Sequence, residues 1–218
     1  MRFTSLAITA SNVVEAENFY RGVLGLETRR VADGFDVMIG RTTLMVHNGA
    51  TPWGGIHLAI TIPRNRFDEA KAWLSARTPL STVDGADEFA LADEPWRSKS
   101  LYFRGPDGIV LEFITRDRLE NDSSEPFSSA SLLCISEAGV ASQNVRTTVA
   151  ELNSQYGAEP FGVGADEFAP IGDDNGLFIV VADGRPWFSA PDSHARGAPA
   201  DIRVERHPRG PAGASLLA

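Results

Sequence analysis

Residues 3–26, FTSLAITASNVVEAENFYRGVLGL, predict a strand followed by a helix. Up to Ala10, apolar residues alternate with small or polar ones, which is the two-residue period of a pleated strand. Ser11 and Asn12 then offer side-chain oxygens that can accept hydrogen bonds from the first N–H groups of a helix. Apolar residues recur at helical spacing from there to Gly25, a residue typical of helix ends.

Three short strands follow this helix and complete a βαβββ unit. Their predicted ranges are 27–31, 35–39 and 42–47. Asp33-Gly34 separates the first two and is a strong hairpin signal, because glycine readily adopts the positive φ that a tight turn requires.

The same order of elements returns twice along the chain. The second unit runs over residues 55–115 and the third over residues 131–181, and their closing hairpins are alike: PDGIVL at 106–111 and DNGLFI at 174–179. Residues 119–130 between the units are polar and rich in turn formers, so they predict a linker.

Two motifs resemble the vicinal oxygen chelate superfamily, which includes glyoxalases, bleomycin-resistance proteins and extradiol dioxygenases. SNVVEAENFYRGVLGL (11–26), with its aromatic pair Phe19-Tyr20, is typical of the first helix of that superfamily. GPDGIVLEF (105–113) closely resembles its closing hairpin. The resemblance implies an α+β fold in which paired βαβββ units form curved mixed sheets around a cleft, with a third, lone βαβββ unit.

These patterns predict a division of the chain into four parts. A domain of the first two units covers residues 1–118, a linker covers 119–130, the third unit covers 131–190, and a flexible tail covers 191–218. The tail is rich in Pro, Gly, Ala and Arg, which cannot build a core. The uncovered sheet face of the third unit would be closed by the same unit of a second chain, so we expect a homodimer.

The resemblance also implies a metal site, because in this superfamily the first and last strands of the units supply ligands to a divalent ion. It implies His57, on the first strand of the second unit, and Glu112, on its last strand, as ligands to Fe, Mn, Ni, Zn or Co. Glu112 is also the candidate catalytic residue, acting as a base. The corresponding places in the first unit hold Ser5 and Met45, so the ligand set is incomplete; His47 is a weaker substitute.

Each of these residues also has a structural interpretation. His57 could be an inward histidine that only shapes a pocket. Glu112 lies in an otherwise apolar strand, where a lone buried charge is costly, so it could be held in a salt bridge with Arg or Lys. Glu137 occupies the place in the third unit that His57 occupies in the second, but an acid on an exposed edge strand is the commoner explanation.

Two functions remain open on these residues. The first is a metal-dependent lyase, isomerase or dioxygenase of the vicinal oxygen chelate type, acting on a small oxygenated substrate. The alternative is a metal-free small-molecule binding module of the bleomycin-resistance type, whose cleft is lined by aromatic side chains. Candidates for that lining are Trp53, Trp96, Tyr102 and Phe103.

Composition excludes several other classes of function. The 20 basic and 29 acidic residues give a net charge of −9, which argues against nucleic-acid and membrane partners. The single cysteine, Cys134, excludes an internal disulfide and a cysteine-based zinc site. No run of residues approaches the ~18 apolar positions of a membrane span, and no signal peptide is evident, so we expect a cytoplasmic protein.

Overall fold

The computed structural model describes residues 1–206, which form two large sheets and one small one. The strands are β1 (Arg2–Ala10), β2 (Thr28–Val31), β3 (Gly34–Ile39), β4 (Thr42–Asn48), β5 (His57–Thr61), β6 (Phe89–Leu91), β7 (Ser98–Arg104), β8 (Val110–Arg116), β9 (Cys134–Ser142), β10 (Phe168–Asp173), β11 (Gly176–Ala182), β12 (Pro186–Trp187), β13 (Ala190–His194) and β14 (Ala200–Glu205). The α-helices are α1 (Val13–Gly22), α2 (Phe67–Ser75) and α3 (Val145–Tyr156). The α+β fold and the βαβββ order of the first two units are confirmed. The third unit has two strands after its helix in the shared sheet, β10 and β11, rather than the three expected.

The first unit forms its own sheet in the order β14-β1-β4-β3-β2. The Asn12 side chain caps α1 by accepting a hydrogen bond from the N–H of Glu15, as its position predicts. Gly25 has a φ of +64°, a conformation that favours glycine. The strand and the capped helix predicted from residues 3–26 are therefore confirmed.

The second and third units share one continuous sheet in the order β10-β11-β9-β5-β8-β7-β6. Their first strands, β5 and β9, lie side by side and antiparallel, with Leu58 opposite Ala138. The pairing expected within residues 1–118 is therefore wrong, since the lone unit is the first and not the third. The reason is burial: every residue of β5 is buried, whereas β1 carries the exposed Thr4 and the half-buried Ser5, which suit a strand beside solvent.

The flexible tail predicted at 191–218 is wrong for the part that the structure describes, residues 191–206. Strand β14 pairs antiparallel with β1, and Phe3 lies opposite Val204. Ile202 and Val204 pack against the core at alternating positions, while the edge of β1 provides the unpaired backbone groups that a further strand needs. Residues 207–218 lie outside the described residues.

Contacts outside the sheets tie the units together. The linker at 119–130 is docked, because Phe127 is buried against the rings of Trp73 and Phe113. The first unit contacts the third through Phe3 and Phe178, whose ring centroids are 5.0 Å apart. The face of the third unit that was expected to need a second chain is thus covered within one chain. Among the helices of residues 1–206, none has the length and apolar character needed to cross a membrane.

Candidate functional site

Three buried ionisable side chains meet on one face of the shared sheet, and we call them the His–Glu–Glu triad. They are His57, Glu112 and Glu137. Nε2 of His57 lies 3.5 Å from Oε2 of Glu112 and 3.6 Å from Oε2 of Glu137. The Nδ1 atom of the same ring lies 3.2 Å from the carbonyl oxygen of Val110. A proton on Nδ1 would donate to that carbonyl and leave the lone pair of Nε2 facing the carboxylates.

Strand register explains why the three side chains meet. Ala59 on β5 lies opposite Glu112 on the parallel strand β8 and opposite Glu137 on the antiparallel strand β9. His57 is two residues from Ala59, so both point to the same face of the sheet. The methyl group of Ala59 leaves room for the larger side chains around it. Gly139 also leaves room for neighbouring side chains, because a Cβ there would lie 2.7 Å from the ring of Trp187.

Glu137 is held by a buried arginine that sequence analysis did not identify. Nη2 of Arg116 donates a hydrogen bond to Oε1 of Glu137, which leaves Oε2 free to face His57. The Arg116 guanidinium is fully buried and lies 5.8 Å and 5.4 Å from the ring centroids of Trp96 and Phe161. The expectation that Glu137 lies on an exposed edge strand is wrong, because β9 is an interior strand between β5 and β11.

The burial of the triad alters its protonation. Burial raises the pKa of Glu112 to about 7, and the negative charge of Glu137 acts in the same direction. Burial lowers the pKa of His57, but the hydrogen bond to Glu137 and the charge of Glu112 outweigh it, so the net shift is upward. The pKa of Tyr102 is raised well above its ordinary value by burial and by both carboxylates. At neutral pH Glu112 therefore exchanges its proton readily, while Tyr102 keeps its own.

The triad opens into a cavity of about 420 Å³ whose walls include six Phe, Tyr and Trp side chains. Trp96 and Tyr102, both expected in such a lining, do line it. Trp187 adds an indole whose centroid lies 5.3 Å from that of the His57 ring. The other two aromatic candidates lie elsewhere: Trp53 is 68% exposed outside the cavity, and Phe103 is buried in the core.

The triad fits a divalent ion. Ligands at ~2.1 Å from a common ion lie roughly 3.0–3.5 Å from one another in octahedral or tetrahedral geometry. The contacts that Nε2 of His57 makes at 3.5 Å and 3.6 Å are close to that range. One imidazole nitrogen with two carboxylate oxygens suits first-row divalent metals. His47 lies on β4 in the other sheet and is not among the cavity residues, so it does not join this set.

Comparisons with known proteins bear on the fold. No family model matches the sequence, and no curated protein matches it. Among solved structures, a candidate dioxygenase from Bacillus subtilis superposes with a TM-score of 0.58 at 17% identity, over 83% of this chain and 63% of that one. The chain has the vicinal oxygen chelate fold.

Shorter proteins match about half of the chain. A lactoylglutathione lyase from Agrobacterium tumefaciens is 24% identical, covers 51% of this chain and 91% of its own, and gives a TM-score of 0.42. A glyoxalase/bleomycin resistance protein/dioxygenase from Nocardioides is 19% identical, covers 57% of this chain and 88% of its own, and gives 0.43. The chain spans less than two thirds of the Bacillus subtilis protein.

Proposed function

We propose that this chain is a divalent-metal-dependent enzyme, a lyase, isomerase or dioxygenase, that acts on a small oxygenated substrate in the cavity. The observation that supports it is the convergence of Nε2 of His57 with one oxygen each of Glu112 and Glu137. A divalent ion held there supplies Lewis acidity toward adjacent oxygen atoms of a substrate. Fe, Mn, Ni, Zn and Co are all compatible with this donor set.

The chain's own groups divide the remaining work. Glu137 offers a single oxygen, because Arg116 occupies the other. Glu112 forms no salt bridge with a Lys or Arg among residues 1–206, so its carboxylate can accept a proton from a substrate. Tyr102 lines the same cavity and stays protonated, so its hydroxyl can donate a hydrogen bond to a substrate oxygen. The aromatic side chains of the cavity wall provide an apolar surface for the body of a substrate.

A metal-free binding module is the alternative, and the ion pairs of the site favour it. Arg116 already compensates Glu137, and His57 lies within 3.6 Å of both triad carboxylates. A site whose charges are balanced by protein groups needs no cation to be stable. In that case the cavity of about 420 Å³ would hold a small molecule without transforming it.

Metal titration of the chelator-treated protein distinguishes the two. We expect one ion per chain by calorimetry with Mn, Fe, Ni, Zn and Co. His57→Ala, Glu112→Gln and Glu137→Gln should each weaken binding by about 100-fold, since even the outer partners of metal ligands contribute ~10–100-fold. His47→Ala and Glu17→Gln are matched controls, because both residues lie in the first unit and outside the cavity.

The same metal titration can also contradict the proposed metal-dependent function. If the wild type binds none of these ions, or if the three variants bind them as well as the controls do, the metal-dependent function is wrong. Binding of small molecules by the metal-free protein would then support the alternative. Turnover of compounds that carry two adjacent oxygen atoms, measured on the loaded wild type and on Glu112→Gln, tests the catalytic role of Glu112.

The homodimer and the cytoplasmic location stay predictions. The reason first given for the dimer no longer applies, because β9 of the third unit pairs with β5 of the second. Sedimentation at micromolar concentration tests the assembly directly.

A further inference from the structure

A lone cation lines the cavity beside the acidic triad. Within the part of the chain that the structure describes, Arg185 is the single Lys or Arg among the cavity residues. Its guanidinium lies 5.3 Å from the centroid of the Phe168 ring, which also lines the cavity. Neither a salt bridge nor a side-chain hydrogen bond joins this guanidinium to any residue from 1 to 206. The half-buried charge is thus without a protein counter-ion.

The one acidic side chain at the cavity that could serve as that counter-ion, outside the triad, is already bound. Glu88 lines the cavity, but its Oε2 lies 2.9 Å from Nζ of Lys71. Arg146, on α3 at the surface, shows the ordinary arrangement, with a carboxylate of Asp166 at 2.7 Å. Arg185 differs from it in facing a cavity rather than an acid.

A second polar group of the same segment lacks a partner. Ser189 is 4% exposed and lines the cavity, and its hydroxyl makes no hydrogen bond with any described residue. Buried polar groups are normally paired, and an unpaired one marks a place where a ligand or water completes the bond. Arg185 and Ser189 are four residues apart, on either side of Trp187, whose Nε1–H donates to the carbonyl oxygen of Gly54 and so fixes the segment.

The charges of the cavity make this pair selective. Glu112 repels an anion when it is ionised, whereas Glu137 is compensated by Arg116, and the whole chain carries a net charge of −9. An anionic group can enter only where a cation compensates that field, and a guanidinium matches the two oxygens of a carboxylate. Phe168, whose ring lies beside the Arg185 guanidinium, and the other aromatic side chains of the cavity would contact an apolar body.

We propose that Arg185 and Ser189 anchor the carboxylate of the ligand, which makes the ligand class small aromatic or apolar carboxylic acids. This inference rests on the proposed function in one respect: the other oxygen atoms of such an acid would lie at the triad. The carboxylate anchor itself requires no metal.

Two probes of one shape test the anchor. Phenylacetate and phenylacetamide have nearly the same shape but differ in charge, because an uncharged amide replaces the carboxylate. Their binding can be followed through the fluorescence of Trp96 and Trp187, both in the cavity wall. We expect the wild type to prefer the acid by about tenfold, because a hydrogen bond to a charged group contributes ~1.5 kcal/mol or more. Arg185→Gln should abolish the preference by weakening the acid alone, and Arg185→Lys should retain most of it.

Further variants separate the anchor from structural effects. Ser189→Ala should weaken the acid by a smaller factor of about threefold, the loss of one hydrogen bond of ordinary strength. Arg146→Gln, the matched surface control, should leave both probes unchanged. Equal binding of the two probes by the wild type, no binding of the acid, or an undiminished preference in Arg185→Gln overturns the proposal.

The same measurements keep this proposal distinct from the proposed function. They are made on the metal-free protein and again after addition of Mn²⁺. A protein that binds no metal but prefers the acid contradicts the metal-dependent enzyme and supports the anchor. A protein whose triad binds Mn²⁺ but which treats the two probes alike supports the metal site and overturns the anchor.

Discussion

The first and second units are built from the same elements, yet within residues 1–206 the His–Glu–Glu triad forms where the second unit pairs with the third. In the pair, two first strands lie side by side and bring Glu112 and Glu137 to either side of Ala59. In the first unit, β14 takes the place beside β1 that β9 takes beside β5. The βαβββ unit alone is therefore a scaffold, and the site arises from the pairing of units.

Two buried glutamates show the same difference in electrostatic terms. Glu17, on α1 of the first unit, is bound by Arg30 and Thr28, whose hydrogen bonds lower its pKa. Among the described residues, no arginine or lysine forms a salt bridge with Glu112, and burial raises its pKa to about 7. Ionised Glu17 stabilises the fold. Burial instead makes the ionised form of Glu112 less favourable than it is in water, and such raised pKa values are common at binding and catalytic sites.

The largest effect on stability is expected at Arg116. Arg116→Met leaves Glu137 buried without its cation, which costs about 3–5 kcal/mol in comparable buried pairs. Arg30→Met in the first unit should cost much less, because its guanidinium is 73% exposed and Glu17 keeps the hydrogen bond from Thr28 and the neighbouring charge of Arg21. Urea denaturation of both variants measures the contrast.

A double variant checks the cause of that loss. Arg116→Met combined with Glu137→Leu removes both charges, so we expect most of the stability to return. If the double variant is no more stable than Arg116→Met, the packing of the arginine against Trp96 and Phe161 is responsible and not the uncompensated carboxylate.

The next largest effect is expected in how the free energy of unfolding depends on pH, which should have opposite signs for Glu112 and Glu17. The pKa of Glu112 rises from its ordinary value of 4.5 to about 7 on folding, so the folded state holds more protons between those values. Its contribution to the free energy of unfolding of the metal-free protein therefore falls as pH rises from about 4.5 to about 7. Glu112→Gln should remove this loss and stabilise the metal-free protein at pH 8 by about 1–3 kcal/mol.

Glu17→Gln provides the opposite case. The pKa of Glu17 is lowered on folding, so its carboxylate contributes stability above the ordinary value of 4.5, and that contribution is lost as pH falls through the lowered pKa. Glu17→Gln should therefore destabilise the protein at pH 8. Melts of both variants at pH 4 and pH 8 test the signs, and a common sign at pH 8 contradicts the contrast.

The sequence predicted what local signals determine and missed what depends on long-range pairing. Asn12 at the helix start and the repeated units follow from short patterns, whereas His57 and Glu112 are implied by the resemblance to the vicinal oxygen chelate superfamily. The burial of Glu137 depends on β9 pairing with β5, which a one-unit pattern does not specify. Arg116 is the last residue of β8 and resembles a charge at a strand end until β9 covers it.

The smallest expected effect concerns β14, the strand that replaces a paired unit beside β1. A chain that ends at residue 199 loses the pairing of β14 with β1 and the packing of Ile202 and Val204. Cross-strand pairs contribute ~0.2–1 kcal/mol each, so we expect a loss of about 1–2 kcal/mol, or roughly 4 °C in Tm for a chain of this size. A chain that ends at residue 206 is the reference.

Removal of β14 also exposes the edge of β1. Because unpaired edges recruit further strands, the shorter chain should self-associate more, and sedimentation measures this. An unchanged Tm together with an unchanged sedimentation coefficient would mean that the first unit needs no strand in this place, and the contrast between the lone and the paired units would then lie in their side chains alone.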